Sequence, residues 1–306
     1  MQEKNIKICD LFAGIGGFHL AFSKWGAECV FACEIDKHAR RTYEANFKSA
    51  EPELFKNGNF AEDINKIDVS KLPDFDILCG GFPCQPFSNI GKHAGLLDCA
   101  DGNPRGVMFF EILKIIKKKR PKAFFLENVK GLLSNEGGRS FRIIKGLLEN
   151  EGYSFNYKVI KASDFGLPQL RPRVYMVGFQ DETTDESTFC FPKPINLEFT
   201  MKDVLGGECG REVGLTILAS GRGKPLCSRF NWDGYVVNGK EVRLNVAQAK
   251  KMMGFPQDFS FPVSEAQAMK QLGNAVAINP VYHIAQSILI YLEMRKMQMD
   301  DVNLVA

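Results

Sequence analysis

Residues 5–18, NIKICDLFAGIGGF, decide the fold class of this 306-residue chain. The first half of the stretch is a β-rich apolar run. The second half is a glycine-rich turn that leads into a helical pattern, GFHLAFSKWG. Glycines at such a turn let the backbone bend tightly and approach a ligand at the N-terminus of the following helix. The stretch therefore predicts the first strand-turn-helix unit of a ligand-binding α/β fold.

Strand-like and helix-like segments alternate from this unit up to residue 180. The further predicted strands are ECVFACEID, FDILCGGF, KAFFLENV, FNYKVIKA and RVYMVGF, and the predicted helices are HARRTYEANF, FFEILKIIKKKR and FRIIKGLLENEG. Near-continuous apolar runs such as KAFFLEN are typical of parallel strands that are covered on both faces. The pattern predicts a doubly wound, mostly parallel sheet.

The composition changes after Phe179. Residues 190–268 are rich in glycine, proline and isolated basic residues, with short strand-like pieces such as GYVVNG. We therefore predict a catalytic domain, 1–189 plus 269–306, and a second, smaller, irregular β-rich domain, 190–268. The segment QLGNAVAINPVYHIAQSILIYLEM, residues 271–294, is predicted to form one long amphipathic helix that returns to the first domain.

Composition and charge narrow the class of protein. Apolar residues make up 45% and charged residues 25% of the chain, as in globular proteins. The net charge is only +3, but residues 211–251 hold eight Lys or Arg against three Asp or Glu. This basic segment suits either a nucleic-acid partner or an ordinary solvated face.

Several features point to the cytoplasm. The first residues, MQEKNIKICDLFAG, do not form a secretory signal. Because no run approaches about 18 uninterrupted apolar residues, we expect no membrane-spanning helix. The nine cysteines form no C-x-x-C pair and lie near few of the four histidines, so we expect neither a disulfide framework nor a bound metal.

The glycine-rich turn suggests the kind of ligand. Its spacing, Gly14-x-Gly16-Gly17 after Asp10, differs from the dinucleotide pattern G-x-G-x-x-G, although a dinucleotide and a mere tight turn remain open. Glu34, at the end of the second strand, is placed to bond ribose hydroxyls. A cationic sulfonium gains from nearby acids such as Asp10, and Asp63-Ile64 could meet an adenine amine. The turn favours S-adenosylmethionine.

A thiol and a carboxylate follow two strands of the same predicted sheet. Cys84 lies in GGFPCQPFS, directly after FDILC, where prolines keep it out of regular structure. Glu127 ends the apolar strand KAFFLE, and a carboxylate there is costly unless it has a partner or a task. Because ligands of such sheets bind at the carboxyl ends of the strands, both side chains are expected in one cleft.

These motifs and three others resemble the cytosine-5 DNA methyltransferase family, along nearly the whole chain and in the family's order. The matching segments are DLFAGIGGF (10–18), GGFPCQPFS (80–88), ENVKGL (127–132), QLRPR (169–173), the region from Arg243 to GFP (254–256), and QLGNAV (271–276). The resemblance implies an S-adenosylmethionine-dependent methyltransferase with a Rossmann-like fold and a small target-recognition domain.

The resemblance also implies catalytic roles. The Cys84 thiolate would attack C6 of cytosine, since addition at that carbon makes C5 electron-rich. Glu127 would bond the N3/N4 edge of the base, and Arg173, with Arg171 nearby, would hold the O2 side. Both arginines could instead contact phosphate or form surface ion pairs. The base that later removes the C5 proton is not evident, and a water could serve.

By the same resemblance, the methyl donor, which leaves as S-adenosylhomocysteine, would be bound by one group of residues. They are Asp10, Phe12, Gly14, Gly16, Glu34, Asp63, Ile64 and Asn274. Phe12 and Asn274 could also be a core and a helix-cap residue. The chain departs from the family where Ala275 replaces a frequent serine and Pro172 replaces a frequent acidic residue.

The target base must be flipped out of the duplex to reach the pocket. Ser88, on the loop after Cys84, and Thr216, in a pair that resembles the family's Thr-Leu, are predicted to contact DNA. Arg222, Lys224 and Arg229 are predicted to contact guanine or phosphate. The segment GYVVNGK resembles enzymes of the HhaI type and suggests a short target. Residues 117–120, KKKR, end a helix, where cations suit the dipole.

Three other functions fit the sequence less well. An RNA (tRNA) cytosine-5 methyltransferase of the same fold would typically have Pro-Pro-Cys where this chain has Phe82-Pro83-Cys84. An inactive DNA-binding relative would not need Cys84 and Glu127, and a nicotinamide oxidoreductase leaves Cys84 and Arg173 unexplained. We expect a monomer acting on double-stranded DNA in a bacterial or phage-infected cell, with a restriction endonuclease acting separately if one exists.

Overall fold

The computed structural model of the chain describes residues 6–83, 108–180 and 189–305. Its main feature is a seven-stranded sheet in the order β3-β2-β1-β4-β5-β7-β6. The strands are β1 (Lys7–Leu11), β2 (Glu28–Cys33), β3 (Phe60–Ala61), β4 (Ile77–Gly81), β5 (Ala123–Val129), β6 (Asn156–Ile160) and β7 (Arg173–Phe179).

Only β7 runs antiparallel to its neighbours β5 and β6, so the sheet is mostly parallel, as predicted. The predicted α/β class with a Rossmann-like sheet is confirmed. The short strand β3 was not predicted, because two residues carry no usable periodicity. Strand order reverses between β1 and β4, and ligands of doubly wound sheets bind at the carboxyl ends of the strands at such a point.

The helices in the first part of the chain are α1 (Gly17–Ser23), α2 (Lys37–Phe47), α3 (Met108–Lys119) and α4 (Arg139–Asn150). Two hydrophobic clusters cover the two faces of the sheet. Phe125 belongs to one cluster, whereas its neighbours Phe124 and Leu126 belong to the other. The continuous apolar run of β5 therefore fills both layers, which explains why it does not alternate with polar residues.

The prediction of one continuous helix over residues 271–294 is wrong. The structure has α7 (Glu265–Asn274) and α8 (Ile278–Val305), and Ala275 between them adopts an extended backbone. Pro280 lies in the first turn of α8, where a missing N–H costs nothing. The Ile278 N–H donates to the Met253 carbonyl at 2.9 Å.

The stretch Glu265–Gln298 is long and apolar enough to cross a membrane, which the sequence analysis did not expect. Of its most apolar 18-residue window, 56% is buried inside the fold. The buried side chains of α8 include Val281, Ile284 and Ile288, in the cluster that also contains Phe18 and Phe22 of α1. A core helix of this kind passes the same test of length and hydropathy.

Residues 190–268 contain less regular structure than the rest of the described chain. They form α5 (Met201–Leu205), the hairpin β8 (Gly234–Val237) and β9 (Lys240–Arg243), α6 (Val246–Met252) and the start of α7. Met201, Trp232 and Met252 belong to the same hydrophobic cluster as α1 and α8. The apolar core therefore runs continuously from the sheet into this region.

The basic run 117–120 is occupied by contacts within the fold. Lys117 pairs with Glu151 at 3.1 Å, and Lys119 pairs with Asp74 at 2.6 Å. The Arg120 guanidinium lies 5.1 Å from the ring centroid of Tyr153. These contacts support the structural interpretation of the run.

Candidate active site at the strand ends

The glycine-rich turn after β1 is fixed by Glu34, at the end of β2. One carboxylate oxygen of Glu34 accepts the Gly14 N–H at 2.8 Å, and the other accepts the Asp36 N–H at 2.7 Å. Gly14 has φ +57°, and a Cβ added there would meet no atom within 4 Å. The turn therefore has an open side at Gly14, beside the Glu34 carboxylate.

The other glycines of the turn face the protein. A Cβ on Gly16, which has φ +86°, would lie 2.3 Å from the Phe47 ring. A Cβ on Gly17 would lie 2.5 Å from the Val276 side chain. Both positions require glycine, because a larger side chain would collide with the residues packed against the turn. Phe12 is half-buried with φ +54°, a conformation that costs a non-glycine residue about 1 kcal/mol.

Asp10 lies beneath the turn and is fully buried. Its Oδ2 accepts the His19 N–H at 3.4 Å, and its Oδ1 has no hydrogen-bond partner. Burial raises the pKa of Asp10 to about 8, with the His19 N–H opposing the rise. Asp10 thus supports the turn and the start of α1, but its side chain does not reach the surface of the cleft.

Asp63 and Ile64 follow β3, and their side chains have different surroundings. Asp63 lines a cavity of about 460 Å³ together with Ile35, whose exposed fraction is 66%. Ile64 is buried in the core and does not line this cavity. Ile35 was missed in the sequence, although its place directly after Glu34 was a usable signal.

Glu127 and Arg173 meet at the carboxyl end of β5. Arg173 Nε lies 2.8 Å from Glu127 Oε1, and only 12% and 11% of the two side chains are exposed. A Cβ on Gly81, the last residue of β4, would lie 3.5 Å from Glu127 Oε2. The sheet register therefore brings the carboxylate over the strand that leads to Cys84.

Burial raises the pKa of Glu127, and the charges of Arg173 and then Arg171 oppose the rise. A carboxyl group with a raised pKa can hold a proton closer to neutral pH, so it can donate as well as accept a hydrogen bond. This arrangement suits a group that exchanges a proton with a bound base.

Asn128 was missed by the sequence analysis. It is buried, and its side-chain amide donates to the Phe82 carbonyl at 2.9 Å. It therefore links the end of β5 to the segment two residues before Cys84. Its signal was its place in the ENV motif. Cys84 and Ser88 lie outside the described residues.

Arg171 lies deeper than Arg173, with 2% of the residue exposed. Its guanidinium donates to the carbonyls of Ile217 and Gly273, both at 2.9 Å, and to the carbonyl of Ala275. Its backbone N–H donates to Thr216 Oγ1 at 3.1 Å. Arg171 thus joins three chain segments, and Thr216 lies beside it instead of on an open surface.

Asn274 is the last residue of α7 and is exposed. Two residues later, Val276 packs against Gly17 and lies near Gly81. The segment that Arg171 binds therefore reaches both the glycine-rich turn and the end of β4. This contact places Asn274 near the same edge of the sheet.

The basic residues predicted to contact DNA have different surroundings. Arg222 pairs with Glu265 at 3.0 Å and with Asp233 at 3.6 Å, and it donates to the Leu244 carbonyl. Lys224 and Arg229 are exposed. Among the described residues, neither of these two side chains forms an ion pair. Arg222 is therefore occupied within the fold, whereas the other two are available.

Comparisons with known proteins agree with these motifs. The sequence model of the family "C-5 cytosine-specific DNA methylase" matches residues 6–215 and 227–289. The chain is 37% identical to the type II methyltransferase M.DsaV of Dactylococcopsis salina, over 97% of this chain and 90% of that protein. It is 35% identical to M.HhaI of Haemophilus parahaemolyticus, over 94% and 95%.

Solved structures with the same fold include a DNMT2 mutant of Spodoptera frugiperda, with a TM-score of 0.69 at 18% identity over 94% of this chain and 100% of that chain. A putative DNA modification methyltransferase encoded within an E. coli prophage gives 0.68 at 20% identity, also over 94% and 100%.

Proposed function

Because this chain belongs to the C-5 cytosine-specific DNA methylase family and is a DNA (cytosine-5-)-methyltransferase, we propose that Cys84, Glu127 and Arg173 carry out its chemistry on a flipped cytosine. The observation that supports this assignment best is the buried ion pair of Glu127 and Arg173 beside Gly81. β4 leads from Gly81 towards Cys84, so the nucleophile follows the strand next to the carboxylate.

In the proposed reaction, the Cys84 thiolate forms a bond to C6 of the cytosine, and the electron pair of the C5–C6 double bond becomes available at C5. Glu127 gives a proton to N3, or shares one with it, as negative charge develops on the ring. After methylation at C5, loss of the C5 proton to a base restores the double bond and releases the Cys84 thiolate, and N3 returns its proton to Glu127.

The two arginines are proposed to differ in role. Arg173 contacts Glu127 at the cleft, so it can orient the carboxylate and donate to O2 of the base. Arg171 has its donors directed at three backbone carbonyls, so we propose a positioning role in place of the predicted direct contact with the base.

The methyl donor of this family is S-adenosylmethionine, which supplies an electrophilic methyl group when bound. The residues present fit such a group: Gly14 is open on one side, Glu34 lies beside it, and a cavity runs between Ile35 and Asp63. Glu34 would bond the ribose hydroxyls and Asp63 the adenine amine. Phe12 and Asn274 would complete the site. Asp10, Gly16 and Ile64 would hold its shape through packing and would not touch the methyl donor.

The substrate of the family is DNA. We propose that residues 190–268 form the target-recognition domain and that Lys224 contacts phosphate, since its side chain is exposed and outside any ion pair of the described residues. Because relatives such as M.DsaV and M.HhaI are type II methyltransferases, we further propose that the protein works within a restriction-modification system. We also propose that it acts as a monomer in the cytoplasm.

The test is methyl transfer from tritiated S-adenosylmethionine to unmethylated plasmid DNA, with bulk tRNA as a second substrate. We expect label in DNA with the wild type and none with Cys84→Ser. Cys190→Ser is the matched control, since Cys190 is an exposed thiol outside the six segments that match the family. Bisulfite sequencing of the plasmid then identifies the target.

Each result bears on a different part of the proposal. Label in DNA with Cys84→Ser would remove that thiol from the mechanism. Label in tRNA but not in DNA would contradict the DNA substrate. Transfer by neither the wild type nor the Cys190→Ser control would contradict an active enzyme.

A further inference from the structure

The loop of residues 221–232 is held at its base by buried and charged contacts. Asp233 is 1% exposed, and both of its carboxylate oxygens accept the Gly223 N–H at 3.1 Å. Arg222 and Arg243 pair with the same carboxylate, and Arg243 also donates to the Lys224 carbonyl at 2.8 Å. Trp232 Nε1 donates to the Ser220 carbonyl at 2.8 Å. The two ends of the loop are thereby fixed.

The tip of this loop has its own hydrogen bonds. The Ser228 N–H donates to the Pro225 carbonyl, and the Asn231 N–H donates to the Ser228 carbonyl. The Phe230 N–H donates to Ser228 Oγ at 3.2 Å. These local hydrogen bonds hold the backbone at 228–231 in one conformation, and preorganisation of this kind lowers the entropic cost of binding.

Arg229 and Phe230 project from this ordered tip. The exposed fraction of Phe230 is 61%, whereas most of the described phenylalanines are buried. The Arg229 guanidinium carbon lies 4.6 Å from the centroid of the Phe230 ring. Such stacking attracts the cation to the ring and restricts its orientation, while its N–H donors stay free for another partner.

A cavity of about 430 Å³ lies beside the tip and is lined by Arg211 and Arg229. Its other polar side chains include Ser228 and Asn231, and none of its lining residues is acidic. Residues 211–251 also hold eight Lys or Arg against three Asp or Glu, a net charge of +5, whereas the whole chain has +3. The cavity therefore suits an electron-rich ligand edge or an anion.

We propose that Arg229 reads a guanine in the target sequence through its O6/N7 edge, and that Phe230 holds the guanidinium in the orientation this contact needs. The proposal rests on the function proposed above and names the specificity-determining pair of that site. The guanidinium geometry favours guanine, because its two parallel N–H groups match the O6 and N7 acceptors of that base in the major groove.

The experiment uses the full chain and the target found by bisulfite sequencing. Methylation of a target duplex is compared with that of duplexes changed at one base pair each, and kcat/KM is measured for every duplex. We expect Arg229→Lys, which keeps the charge, to lose about tenfold to a hundredfold of discrimination at one guanine position and to keep it elsewhere. Phe230→Ala is expected to act at the same position, and Phe230→Tyr to restore discrimination.

Controls separate this result from a general defect. Arg142→Lys changes an exposed arginine of α4, and Tyr157→Ala changes an exposed aromatic residue of β6, so both should leave discrimination unchanged. Equal weakening for all duplexes in Arg229→Ala, with a smaller salt dependence, would show a phosphate contact and overturn the proposal. So would unchanged discrimination in Arg229→Lys and Phe230→Ala. Failure of the wild type to methylate any DNA would instead overturn the proposed function.

Discussion

Charged side chains are positioned in different ways at the active-site edge of the sheet and in the loop of residues 221–232. At the sheet edge, Glu127 and Arg173 follow from strand register, because Glu127 lies near the carboxyl end of β5 and Arg173 begins the neighbouring antiparallel strand β7. At the loop, Arg222 and, from β9, Arg243 pair with Asp233 and fix the backbone around it, whereas Arg229 remains exposed. Arginines of the same charge thus differ in role according to the element that carries them: Arg173 lies at the catalytic cleft, Arg222 and Arg243 hold a loop, and Arg229 is left for recognition.

The largest expected effect tests the sheet-edge site. Glu127→Gln keeps the size of the side chain but removes its exchangeable proton. We expect kcat to fall by about 10²- to 10⁴-fold, a larger loss than any change in DNA affinity. Steady-state kinetics on the target duplex measures this, with Glu149→Gln on α4 as the matched control. Full activity of Glu127→Gln would show that the carboxyl group takes no part in proton transfer.

The second prediction separates the two arginines of the QLRPR motif. Arg171→Lys leaves several backbone carbonyls without their donors, so the free energy of unfolding should fall by about 2–3 kcal/mol. Arg173→Lys keeps a cation beside Glu127 and should change stability by less than about 1 kcal/mol while it lowers kcat. Urea unfolding of both variants gives the comparison. Equal losses of stability would remove the distinction between a positioning residue and a catalytic one.

The third prediction concerns the support beneath the glycine-rich turn. Burial raises the pKa of Asp10 to about 8 in the folded chain, above its unfolded value of about 4, so the folded state holds the proton more tightly. The stabilisation from that proton is complete below pH of about 4 and is lost as the pH rises to about 8.

Asp10→Asn stays neutral at every pH and its amide oxygen can still accept the His19 N–H. Its stability should therefore rise relative to the wild type between pH 5 and pH 8, by at most about 1.4 kcal/mol per pH unit. Urea unfolding at several pH values measures the difference, and Asp258→Asn, at an exposed site, is the control. A constant difference across this range would show that Asp10 is ionised in the folded protein throughout.

The sequence predicts the sheet-edge residues well for a physical reason. Long apolar strands are recognisable, and the carboxyl ends of parallel strands meet at one edge, so Glu34 and Glu127 could be placed without coordinates. The motif resemblance supplied Arg173, and its neighbour Arg171 needed the structure, because the two differ only in burial and in what their donors face. The break between α7 and α8 was missed since an amphipathic pattern continues across it.

The loop could be predicted only by its charge. Whether Arg222 or Arg229 is available depends on Asp233 and Glu265, which lie respectively 11 residues and 43 residues along the chain from Arg222. Such long-range pairs have no signature in local spacing. The exposed Phe230 is equally hidden, because a sequence of this kind gives no reason to expect an aromatic ring in solvent.

The smallest expected effect compares two basic residues within the loop. Lys224→Gln should weaken DNA binding about equally for all sequences and reduce the slope of log affinity against log salt by about one, as for a lost phosphate contact. Arg222→Gln removes a bond to the Leu244 carbonyl and a partner of Asp233, so it should loosen the loop and reduce discrimination with little change in that slope. Binding titrations at several salt concentrations distinguish the two. A reduced slope in Arg222→Gln would mean that Arg222 leaves its ion pairs to meet DNA, and the distinction between supporting and reading charges in this loop would then fail.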